Sequence, residues 1–128
     1  MSTEEQHAAA VLAVLNAALA PKVAYEVDTL PATRPAEYVE VSLVRRFGGE
    51  QRMSARSTAT GYRVLVRVVS KASVSNARVM REKSRQALEY ARLSVASRVT
   101  TPVQFEGGEP VGPDDGWFSG LDTYTYSI

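Results

Sequence analysis

The sequence predicts an α+β fold: a mostly antiparallel sheet with two helices packed on one face, in the order α-β-β-β-α-β-β. Three observations predict it. Two stretches, one near the N-terminus and one after position 73, repeat apolar residues at helical spacing. Two long central stretches alternate apolar and polar residues with period two. The last nine residues are rich in threonine and tyrosine, types that suit a pleated, half-buried surface. With 128 residues and no internal repeat or compositional break, residues 1–128 are expected to form one domain.

The elements follow in order. Ser2 and Glu5 have capping-box spacing and predict a helix from Ser2 to about Ala20, ended by Pro21. Its apolar face is Ala8, Val11, Leu12, Leu15, Ala18 and Leu19. Val23 to Glu26 is a short candidate strand, and Asp28 to Pro35, with two prolines, is a connecting loop. Tyr38 to Phe47 is a strand whose Val39, Val41 and Leu43 face the core. Gly48-Gly49 then opens a polar stretch too long for a two-residue hairpin. A long arm or loop is expected at about 48–58. Ala59 to Ser70 is the next strand. Tyr62, Val64, Val66 and Val68 point to the core, while Arg63 and Arg67 sit on the opposite face.

The second helix starts at Ser73 or Ser75 and has Ala77, Met80, Ser84, Ala87, Leu88, Ala91 and Val95 on one side. Arg78, Arg81, Arg85 and Arg92 fall on the other, with Arg78–Glu82 and Arg85–Glu89 at i,i+4 ion-pair spacing. Thr101 to Glu106 reads as a strand. Gly107 to Ser119 reads as a loop rich in glycine, and Gly120 to Ile128 as a strand tied into the sheet.

Composition narrows the function. Hydrophobic residues at 45% and charged residues at 23% are ordinary for a globular protein. No apolar run approaches 18 residues, so no membrane partner is expected. The start Met-Ser-Thr-Glu-Glu is acidic where a secretion signal is basic, which argues against export by that route. There is no cysteine, which removes disulfides and thiolate chemistry.

The net charge of +1 hides a strong imbalance. Arg45 to Arg85 holds 11 basic residues against Glu50 and Glu82, a net of +9, and the remainder carries −8. Such asymmetry marks a surface that meets a partner of opposite charge, or basic side chains that simply cover solvated strand and helix faces. Arg45, Arg46, Arg52, Arg56, Arg63 and Arg67 are the candidates for a subunit interface or a DNA channel.

The catalytic inventory is thin, so no catalytic, cofactor or metal residues are assigned and no enzyme is expected. His7, the single histidine, is expected at the surface, and one histidine without cysteine argues against zinc. Asp114-Asp115 sits in Gly-Pro-Asp-Asp-Gly, which reads as turn chemistry before it reads as a carboxylate metal site. Neither Gly48-Gly49 nor Gly107-Gly108 leads into a phosphate-loop helix start. The basic segment carries Phe47 and Tyr62 as its aromatics, too few for base stacking, although a sequence-blind electrostatic surface stays open.

The layout resembles the tail-terminator proteins of long-tailed bacteriophages, especially those of actinobacterial hosts. The carriers are the alanine-rich first helix, Pro-Ala-Glu-Tyr-Val-Glu-Val-Ser-Leu at 35–43 and Gly-Tyr-Arg-Val-Leu-Val-Arg-Val-Val at 61–69. The arginine-rich second helix and Gly-Leu-Asp-Thr-Tyr-Thr-Tyr-Ser-Ile at 120–128 complete the likeness over nearly the whole chain. The resemblance implies a virion protein, assembled in the host cytoplasm, that forms a hexameric ring on the head-proximal end of the tail. Such a ring stops tube polymerisation and joins tail to head. Its implied partners are further copies of itself, the major tail tube protein and the head-tail connector proteins, with sequence-independent contact to genomic DNA in the channel open. The family brings no catalytic residue and no cofactor. A head-completion or stopper protein of the neck, and a nonspecific nucleic-acid-binding module, are the alternatives.

Overall fold

The computed structural model describes residues 3–48 and 60–128. The first helix, α1 (Glu4–Leu19), begins after the N-cap Thr3 rather than at Ser2. The Thr3 hydroxyl accepts from the Gln6 amide, and the Gln6 side chain accepts from the Thr3 amide at 2.8 Å. Ser2–Glu5 and Thr3–Gln6 both have capping-box spacing. The register adopted puts Glu4 and Glu5 in the first turn, at the positive end of the helix dipole.

Strand β1 (Ala24–Glu26) pairs in parallel with β2 (Glu37–Gly48), which runs antiparallel to β3 (Thr60–Ser70). Ser73 caps α2 (Val74–Leu88) by accepting from the Asn76 amide at 3.0 Å. The helix is shorter than its apolar pattern predicts. After Leu88, Tyr90 takes a left-handed φ of 67° and donates its amide to the Val103 carbonyl, and Val103 donates back to Ala91. These tertiary bonds replace the helical ones, so Ala91 and Val95 lie beyond the helix. Val95 is still buried, in a small hairpin of β4 (Ser94–Val95) and β5 (Arg98–Val99) that the pattern does not predict.

Strand β6 (Gln104–Gly108) pairs with the C-terminal strand β8 (Trp117–Ser127), and β7 (Gly112–Asp114) pairs with the start of β8. Much of the expected loop 107–119 is therefore a hairpin. Its turn is Asp115-Gly116, both at positive φ (52° and 85°), the conformation a two-residue hairpin needs. The main sheet runs β1-β2-β3-β8-β6, with β7 also beside β8.

Both helices lie on one face. Registers place Val39, Val41, Tyr62, Val64, Val66, Val68, Tyr124 and Tyr126 on that face. They close over Val11, Leu15 and Leu19 of α1 and Ala77, Met80 and Leu88 of α2. The α+β class, the two helices and the mostly antiparallel sheet are as the sequence predicts. At the β1 edge, Asn16 of α1 accepts from the Ala24 amide at 2.8 Å. The Glu26 carbonyl accepts from both the amide and the hydroxyl of Thr29. The Ala24 amide and the Glu26 carbonyl of this edge are thus occupied, which helps to blunt it against pairing with another strand.

Candidate functional site

The face of the sheet away from the helices is the candidate contact surface. Alternation along β2, β3 and β8 brings cross-strand rows to it: Glu40–Arg67–Leu121, Ser42–Leu65–Thr123 and Val44–Arg63–Thr125. Arg63 and Arg67, four residues apart on one strand, stand roughly 13 Å from each other along the sheet.

Each has acidic company. Arg63 Nε lies 3.4 Å from Glu106 Oε1, with both side chains 42% exposed. At that distance and exposure the contact is electrostatic and worth about 0–1 kcal/mol. Alternation places Glu106 on this face, two residues on from Gln104, which pairs with Thr125. Arg67 sits opposite Glu40 and donates to Ser119 Oγ at 3.4 Å, and Ser119 in turn donates to Asp114 Oδ2 at 2.9 Å. Half-buried Leu65 and Leu121 and the exposed Val44 fill the space between. The face is a mosaic of both charges with apolar patches, not a uniformly basic one.

The six sequence candidates do not form one surface. Arg46 extends past Gly61 on the open face, while Arg45, in register with Tyr62, points to the opposite side. Both are exposed at the end of β2. Arg52 and Arg56, with the expected arm at 48–58 beyond Gly48, lie outside the described residues.

Part of the basic helix stripe turns onto the sheet and is only partly solvated. Arg85 of α2 makes a bidentate contact with Asp122 of β8, Nε to Oδ2 at 2.9 Å and Nη2 to Oδ1 at 3.1 Å. Arg81 Nε lies 3.4 Å from Asp122 Oδ1, and its Nη2 donates to the Glu109 and Leu121 carbonyls. The expected i,i+4 pairing of Arg85 with Glu89 therefore gives way to a buried partner. A bidentate fork on a carboxylate that is 4% exposed is stronger than a surface pair. Hydrogen bonding to Asp122 pushes the Arg85 pKa up. Gly108 and Gly120 make room: a Cβ on either would collide with Asp122 or with Arg81. Arg78 and Arg92 are exposed.

His7 also departs from expectation. It is fully buried, its ring stacked 4.0 Å from that of Tyr62, with Nδ1 2.8 Å from the Tyr126 hydroxyl. Burial lowers the His7 pKa and raises that of Tyr126. One signal was available: His7, Val11, Leu15 and Leu19 recur at i,i+4, so the histidine continues the apolar stripe. Among the described residues no group of three or more His, Cys, Asp or Glu side chains comes together to hold a metal. Asp115 lies in the hairpin turn and Asp114 is engaged by Ser119.

No family model and no curated protein matches the chain. Solved structures do. A chain in the structure described as the virion of a native gene transfer agent particle superposes with a TM-score of 0.70 at 14% identity, covering 99% of this chain and 91% of that one. A second solved chain gives a TM-score of 0.61 at 13% identity, covering 98% and 95%. These likenesses are of fold, and they extend over nearly the full length of each chain.

Proposed function

We propose that the protein is a structural subunit of a phage-like virion, a tail terminator that assembles into a ring, caps the tail tube and joins tail to head. The observation that carries the reading is the full-length fold likeness to a chain of the gene transfer agent virion. The sequence resemblance to tail terminators narrows that reading from virion component to ring-forming cap.

The geometry is compatible with such a role. A ring needs heterologous contacts, in which two different patches of one subunit meet. The open sheet face offers interleaved arginine, glutamate and apolar side chains, which give register as well as attraction. Closely spaced acids make it a poor match for the phosphates of a duplex, so neighbouring subunits and tail proteins are favoured over free nucleic acid.

Deleting the gene from the producing particle, with electron microscopy of the products, tests the proposal. Overlong tubes without heads are expected. Normal tails joined to heads would refute a structural role at this position. Filled heads that leak, beside tails of normal length, would move the protein to the neck as a stopper.

A further inference from the structure

At the end of the sheet where β2 begins and β3 ends, two cations flank the protein's one tryptophan. The Arg34 guanidinium lies 3.9 Å from the centre of the Trp117 ring, and Lys71 Nζ lies 5.6 Å from it. Arg34 Nε donates to the Tyr38 hydroxyl at 2.7 Å, and Tyr38 meets Trp117 edge-on at 6.4 Å. The guanidinium is thereby held in place, with donors left over. Among the described residues neither Arg34 nor Lys71 meets a carboxylate, unlike Lys22, which pairs with Glu37 at 3.0 Å.

Beside this cluster lies a shallow depression whose walls are Pro21, Val23, Tyr25, Pro35, Ala36 and Ala72, with the mutually paired Lys22 and Glu37 also lining it. The two features are continuous: Arg34 precedes Pro35, Lys71 precedes Ala72, and Tyr25 packs edge-on against Tyr38 at 6.3 Å. The Lys71 amide donates to the Ala36 carbonyl and ties the two walls together. An apolar hollow is thus bordered by two cations without anionic partners.

We propose that this surface docks a short segment of another protein, one apolar side chain entering the hollow and an adjacent carboxylate bridging Arg34 and Lys71 over the Trp117 ring. A stacked, pre-oriented guanidinium suits a carboxylate, because its planar fork needs little further ordering. Nucleic acid fits less well. The hairpin that presents Trp117 also presents exposed Asp114 and Asp115, and Asp114 sits directly opposite Trp117 in register. Those charges repel a dense polyanion but leave room for a single acidic side chain. The surface lies on the same sheet face, beyond the Glu40–Arg67–Leu121 row and at the far end from Arg63, and its docking role does not depend on the ring role.

The single tryptophan makes the test direct. The purified full chain is titrated at low salt while Trp117 emission is followed, using a capped peptide of alternating leucine and glutamate. The glutamine analogue, inorganic phosphate and a short DNA duplex are titrated in parallel. A saturable change with the acidic peptide is expected, with Arg34→Gln and Lys71→Gln each weakening affinity about fivefold, the upper end for a partly exposed charge pair. Unchanged thermal melts of both variants show that folding is intact. An equal response to the glutamine analogue, no saturation with the acidic peptide, or tighter binding of phosphate or duplex would each overturn the proposal.

Discussion

Replacing Asp122 tests how α2 is fastened to the sheet. Asp122→Ala removes the carboxylate shared by Arg81 and Arg85, whose side chains are 12% and 32% exposed. Breaking a buried ion pair from one side costs about 3–5 kcal/mol, because it strands the remaining charge. Here the loss is smaller. Arg85 can turn toward water, and Arg81 keeps the Glu109 and Leu121 carbonyls. About 2–4 kcal/mol is therefore expected. For a domain of this length, each kcal/mol moves Tm by about 3–5 °C, so a fall of about 10 °C is predicted by circular dichroism. Combining Asp122→Asn with Arg85→Met in a double-mutant cycle should give a coupling energy of about 1–3 kcal/mol. A Tm within about 2 °C of the parent, or strictly additive single mutants, would refute the claim that this contact anchors the helix.

Three further outcomes are expected. Gly108→Ala drives a Cβ into Asp122 and to 2.9 Å from the Leu121 carbonyl, whereas Gly107→Ala meets nothing within 4 Å; the first should cost about 1–3 kcal/mol more in urea denaturation than the second. His7 is held neutral by burial, so its folded pKa lies below the unfolded 6.5. The stability this confers is complete above pH 6.5 and declines as pH falls below it, since the unfolded chain then takes up the proton first; denaturant midpoints between pH 7 and 5 should drop for the parent and flatten for His7→Phe. Arg63→Glu with Arg67→Glu should abolish assembly with partner subunits while leaving the monomer folded, as read by native mass spectrometry of assembled tails; intact rings would exclude the open face from the contact.

Much of the fold was legible because periodicity is local. Period-two alternation at Val39–Val41 and at Tyr62–Val68 identified the strands and their buried faces. It also placed Arg63 and Arg67 on the open face. Boundaries were less legible where long-range bonds compete with local ones. The Tyr90–Val103 pairing ended α2 early, and pairing to β8 turned part of a glycine-rich loop into strand β7. The candidate face was half legible: the arginines were evident, their acidic neighbours were not.

By itself, then, the sequence determined the α+β class, the two amphipathic helices, the faces of the long strands and the charge division between the middle of the chain and the rest. Those properties depend on residues within one or two turns or pleats of each other. Tertiary structure alone decided which charges are paired. Asp122 meets Arg85 across 37 positions, and His7 meets Tyr126 across 119. Such partners are selected by strand register and by where each helix lands, quantities that no local pattern encodes. The same reason explains the Arg34–Trp117–Lys71 cluster, which exists because β2 and β8 begin, and β3 finishes, at one end of the sheet.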